Sequence, residues 1–158
     1  MKTATTAAEK TKTDTRMVDA LHQVLADSYA LMALTHLAHW NVEGSDFFEL
    51  HKAFQKQYEE LFDAVDEIAE RVRALDAYAI GGLNALARIA GMDEFKSPMP
   101  QKDYVAALIV AHEKAMDDIG RARHVAGETD DLESQDLMIK RQQAHQKTVW
   151  MLKSALKQ

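Results

Sequence analysis

The chain contains no cysteine, which excludes disulfide staples, thiolate zinc sites and cysteine catalysis. Two prolines and six glycines in 158 residues leave too little punctuation for a many-turned β-sandwich or barrel. Long apolar runs are missing as well. The longest stretch free of Asp, Glu, Lys and Arg runs from Ser28 to Val42 and holds two histidines, too short to span a bilayer. Residues Met1 to Thr6 lack the apolar core of a signal peptide. Gly81-Gly82 leads to no Gly-Lys-Ser/Thr phosphate loop, and neither Glu-x-x-His nor His-Glu-x-x-His occurs anywhere. A two-iron site built inside one bundle from paired Glu-x-x-His units is therefore not expected. What is expected is a soluble protein of a reducing compartment, the cytoplasm, with no membrane partner.

What the chain does hold is helical patterning. At 47% hydrophobic and 28% charged, it can bury one sizeable core. Residues 1–15 are Thr-, Ala- and Lys-rich without apolar periodicity and read as a flexible N-terminal tail, which leaves 16–158 as one domain. From Arg16, Val18, Leu21, Leu25, Tyr29, Met32 and His36 recur at helical steps to about Trp40. Asn41-Val42-Glu43-Gly44 is a break, after which Ser45 or Asp46 offers an N-cap, with Glu49 at capping-box spacing from Asp46. A second stripe runs from Phe48 to about Leu75, a short helix fits Leu83–Ala90, and a loop follows through Gln101. Helical patterns then cover about Asp103–Ala126 and Asp131–Leu156, separated by Gly127–Asp130. The connection from Leu75 to Asp103 is long enough to run the length of the bundle. The expected fold is all-α: a four-helix bundle with a short extra helix in the crossover between its second and third long helices.

Charge is unevenly spread. Residues 1–16 carry +2 and residues 137–158 carry +5, so the body between them holds -13 of a net -6. An acidic body with basic ends favours cations in one place and polyanions in another, although solvated helix faces account for most individual charges.

One polar segment stands out: His36, His39, Trp40, His51, Asp66 and Glu70. Asp66 and Glu70 are four apart and share a helix face, and His39 and His51 flank the break, so folding back brings them close. His51 and Asp66, however, lie fifteen residues apart on one helix, about 22 Å at 1.5 Å per residue. One ion cannot reach both within one chain. Fifteen residues at about 100° each still turn Asp66 to within roughly 60° of the direction of His51, so both face the same neighbour. If two copies of this helix pack antiparallel about a two-fold axis, His51 of each faces Asp66 and Glu70 of the other. Two His with two carboxylates suit Fe(II) or another first-row divalent ion better than Mg(II) or Ca(II). The spacing alone leaves a plain alternative open, with Asp66 paired to Lys or Arg and His39 a hydrogen-bonded core histidine.

His39-Trp40-Asn41-Val42-Glu43-Gly44, then Phe47-Phe48-Glu49-Leu50-His51, then Asp66-Glu67-Ile68-Ala69-Glu70-Arg71 together resemble the signature of the Dps mini-ferritins, ferritin-like DNA-binding proteins from starved cells. The helix lengths and the short crossover helix agree over nearly the whole chain. The resemblance implies a ferroxidase site at a dimer two-fold, with His39 and His51 from one subunit and Asp66 and Glu70 from the other. It places Trp40 beside the site as an acceptor of oxidising equivalents. His36, one turn before His39, is not among the core ligands implied; it either assists a second, weaker iron or merely hydrogen-bonds. The implied assembly is a hollow dodecamer built from two-fold dimers, in the bacterial cytoplasm or nucleoid, that oxidises Fe(II) with hydrogen peroxide or oxygen and stores ferric mineral inside. Zinc fits the same donors. Carboxylates favour Fe(III) over Fe(II), and coupling peroxide reduction to two irons avoids free hydroxyl radical.

Glu128, Asp130, Asp131, Glu133 and Asp136 surround the start of the last helix, where the resemblance places acid-lined three-fold pores; Asp131 and Asp136 are the preferred iron-entry residues. The same acids suit a helix N-terminus, with Asp130 as cap. Lys2, Lys10, Lys12 and Arg16 form a basic tail that assembly would multiply twelve-fold for DNA phosphates, diluted by Glu9 and Asp14. Two rival readings remain: a non-catalytic DNA-compacting nucleoid shell using that tail, and a helical adaptor whose histidines are structural.

Overall fold

The computed structural model describes residues 15–157; the tail residues Lys2, Lys10 and Lys12 lie outside them. Five helices follow in order: α1 (Thr15–Asn41), α2 (Phe47–Ala74), α3 (Leu83–Ala90), α4 (Gln101–Glu128) and α5 (Leu132–Ala155). No strand occurs among the described residues, and no described helix is long and apolar enough to cross a membrane. The four long helices form the bundle, and α3 lies in the crossover against α1, as the hydropathy pattern predicts.

Each boundary has a local cause. Helix α1 runs out at Asn41, where the Val42 N–H still reaches the Ala38 carbonyl (2.9 Å). Gly44 then adopts φ +132° with the Gln101 side chain against it, where a Cβ would collide. Pro100 stands at the N-cap of α4, so that helix begins two residues earlier than its apolar stripe. Two expected caps differ. Asp46 is the N-cap of α2 but makes no side-chain cap bond, because its carboxylate accepts from Gln101 Nε2 (2.8 Å). Asp131, not Asp130, caps α5, accepting from the Ser134 N–H (3.0 Å); Asp130 is in the left-handed region at φ +55°.

The core falls into two apolar halves. One joins the C-terminal half of α1 to the N-terminal halves of α2 and α4 and the C-terminal half of α5, with Leu31, Phe54, Leu61, Tyr104, Leu108 and Leu152. The other joins the opposite halves through Leu21, Leu25, Ile68, Val72, Ile119 and Met138. Helix α1 therefore runs antiparallel to α2 and α4, and α2 antiparallel to α5. At their junction is a polar waist: Asp27 and Ser28 on α1, Asp118 on α4 and Arg141 and His145 on α5, with His112 on α4 bonded to His145 from the edge of the first half, all buried. The crossover is pinned at both ends, by Gln23 Nε2 donating to the Ile89 carbonyl (3.1 Å) and by a 2.8 Å bond between Ser97 Oγ and the buried Tyr104 hydroxyl.

Candidate metal centre

The end of α1 and the start of α2 fold back on each other and set two imidazoles face to face. The rings of His39 and His51 stack at 3.7 Å between centroids, 20° from parallel. His39 Nδ1 lies 2.8 Å from the His51 carbonyl oxygen, and His51 Nδ1 lies 2.9 Å from that of His39. A carbonyl only accepts, so both rings carry their proton on Nδ1 and donate it to backbone. That fixes the tautomer: each Nε2 keeps its lone pair, the arrangement a metal-ligating histidine requires. His39 is buried and His51 half-buried.

Aromatic rings wall this pair. Phe47 stacks on His51 (5.1 Å), and Tyr58 meets His39 edge-on (5.2 Å) and His36 at 4.1 Å. His36 in turn stacks on Trp40 (5.2 Å, 15°). Trp40, next in sequence to His39, is 69% exposed. Burial, and then the charge of His39, lower the pKa of His36. Beside these rings is a cavity of about 230 Å³ lined by His36, Tyr58, Glu59, Phe62 and Asp63. The walling role of Phe47 and Tyr58 carries no spacing signal; it follows from which way the fold-back turns the rings.

Asp66 and Glu70 lie further along α2, exposed on its surface. Among the described residues neither makes a hydrogen bond or ion pair, whereas Arg71 next to them is engaged with Ser134 Oγ (2.8 Å) and Asp131 (2.6 Å). No group of three or more His, Asp or Glu among the described residues lies close enough to hold one ion. One subunit thus offers two open imidazole nitrogens at one level of α2 and two unpartnered carboxylates about four turns away.

Other residues singled out in the sequence stand as follows. Asp131 has a side chain 12% exposed, bonded to Arg71 and Ser134. Burial pushes its pKa up, but the Ser134 bonds and the Arg71 charge outweigh it and the carboxyl stays below its ordinary value. Asp136 is exposed and pairs with Lys140 (2.8 Å). Arg16 sits in the first turn of α1 and pairs with Glu128 (3.3 Å).

A ferritin-like domain family matches residues 18–158. A low temperature-induced protein of a Nostoc species is 34% identical over 142 residues, 87% of this chain and 78% of that protein. The DNA protection during starvation protein of Brevibacillus brevis is 30% identical over 86% of this chain and 91% of its own. The chain belongs to the Dps family. Among solved structures, Dps of Vibrio cholerae, described as a member of the ferritin-like diiron-carboxylate proteins, superposes with a TM-score of 0.88 at 27% identity, covering 98% of this chain and all of that one. Dps of Staphylococcus aureus reaches the same TM-score at 29% identity over 92% of this chain and 97% of its own. Membership of the Dps family and the bundle with its short crossover helix agree with what the motifs imply.

Proposed function

We propose that this Dps-family protein is a ferroxidase and iron store. Fe(II) is its substrate, held between His39 and His51 of one subunit and Asp66 and Glu70 of another, at two equivalent sites per two-fold dimer. Six such dimers close a hollow dodecamer that keeps the ferric product. The observation that carries this reading is the reciprocal Nδ1 bonding of His39 and His51. It spends both inner nitrogens on backbone and leaves both outer ones open to a ligand, while Asp66 and Glu70, exposed and without side-chain partners among the described residues, are out of reach on the same helix.

Both histidines bind neutral and the carboxylates bring negative charge to offset the ion, which favours Fe(III) and draws electrons outward to the oxidant. Peroxide accepts two electrons, so two Fe(II) with H₂O₂ and two protons give two Fe(III) and two H₂O. The acidic body of the chain attracts Fe(II) to the shell. Anaerobic addition of Fe(II) followed by peroxide tests the proposal, read as ferric absorbance and iron retained on sizing. The parent oxidises and retains iron. If the assembled His39→Ala/Asp66→Ala variant oxidises iron as fast as the parent, the site is misassigned.

Relatives named for DNA protection favour a second reading, DNA binding through the tail residues Lys2, Lys10 and Lys12. A gel shift comparing the full chain with one lacking residues 1–15 decides it. Purely phosphate-driven binding is lost both without the tail and at raised salt.

A further inference from the structure

The polar waist contains a second histidine pair that the proposed iron chemistry does not use. His112 on α4 and His145 on α5 are 2% and 1% exposed, with their Nδ1 atoms 2.8 Å apart. Arg141, one turn before His145, has its Nη2 3.2 Å from His145 Nε2 and forms an ion pair with Glu60 of α2.

Donor and acceptor logic orders the whole row. Guanidinium only donates, so His145 Nε2 accepts and its proton is on Nδ1. That proton is donated to His112 Nδ1, which places the His112 proton on Nε2. Two nitrogens then carry protons and two face a donor; the His112 Nε2–H is buried without an acceptor. No third proton enters without setting two donors against each other, either at Arg141–His145 or at His145–His112. The row joins α2, α5 and α4, and it lies where the two apolar halves of the core meet.

We infer that the His112–His145 pair is an acid-sensitive latch: neutral, it ties α4 to α5 and through Arg141 to α2, and on taking up a proton it forces the waist of the bundle apart. In the same sense, burial and then Arg141 lower the His112 pKa to about 4, and burial, then His112, then Arg141 hold that of His145 well below its ordinary value. Stability held by the pair is complete above the ordinary histidine pKa of 6.5 and is lost as pH falls from there toward 4, because the unfolded chain binds these protons first.

The charged groups around the row are few. Arg141 comes from α5 and Glu60 from α2. Across the waist, Asp27 of α1 is bonded to Lys114 (3.1 Å), and Asp118 to Lys114 (3.3 Å) and Arg121. Burial raises Asp27 to about 7, so that group works in the opposite sense, gaining stability as pH falls below 7. A comparison that changes only the histidines removes its contribution.

The test uses the full chain in its native assembly, from pH 8 to pH 3.5. Hydrogen exchange at each histidine C2 position reports residue-specific protonation, and amide exchange reports opening of α4 and α5. In the parent, His112 and His145 stay unprotonated until the α4 and α5 amides lose protection. His145→Gln keeps an acceptor for Arg141 and a donor for His112 yet cannot titrate. Its opening midpoint falls by about half a pH unit or more, and one proton fewer is taken up on opening. The latch is overturned if either histidine is half-protonated near pH 6.5 while those amides remain protected. It is overturned equally if folded His145→Gln opens at the parent's pH with the parent's proton uptake. Should that variant not fold, the parent's histidine exchange decides alone. None of these outcomes depends on iron oxidation, so the latch and the ferroxidase reading stand or fall separately.

Discussion

Two histidine pairs in one chain are handled in opposite ways. His39 and His51 each give the inner proton to a backbone carbonyl and keep the outer nitrogen free. His112 and His145 bond to each other and to Arg141, and the row is sealed in the bundle's waist. The first pair sits at a helix break, where fold-back supplies carbonyls within reach and where aromatic rings leave one side open. The second faces only other helices. Residue type is the same; what differs is the partner each ring nitrogen finds, a backbone carbonyl in one pair and another imidazole or a guanidinium in the other.

The largest effect expected from breaking this contrast is at the open pair. His39→Ala/Asp66→Ala lowers the rate of iron oxidation by roughly a hundredfold or more, since loss even of a residue supporting a metal ligand costs 10–100-fold. His145→Gln, measured in the same assay at neutral pH, leaves that rate within about twofold. Next comes the sealed row. Glu60→Gln removes the one charged partner Arg141 has among the described residues and, with Glu60 itself half-exposed, costs about 2 kcal/mol of stability, read as a lower midpoint in denaturant with the slope unchanged. Smaller again is Asp131→Ala, which removes both the α5 cap and the Arg71 partner, for about 1–2 kcal/mol. Smallest is Lys153→Ala, which breaks the exposed Glu113 pair and shifts the midpoint by no more than about 0.5 kcal/mol.

The helices were legible because apolar spacing alone sets them: the α2 stripe from Phe48 and the Leu83–Ala90 segment appear where periodicity puts them. Caps were less so. Asp46 has capping-box spacing, but a side chain 55 residues away, Gln101, takes its carboxylate, and no local pattern records that. Asp66 and Glu70 were legible as one face of α2 from their spacing, a site shared with the histidines remaining the proposal, and His39 and His51 as neighbours across the break. Their tautomers were not, since these depend on two carbonyls that only the fold-back brings near. The waist left no trace in the sequence beyond polar residues in apolar stripes. His145 in particular gains its partners from α4 and from Arg141 one turn earlier.

Mixed shells test most directly whether nitrogen and oxygen donors come from different subunits. One parent stock carries His39→Ala/His51→Ala and the other Asp66→Ala/Glu70→Ala; each alone is inactive. Dissociated and reassembled together at equal amounts, half the dimers are mixed and each mixed dimer regains one of its two sites, so about one quarter of normal ferroxidase activity returns. Activity that stays at zero in shells shown to contain both subunits would contradict the shared site.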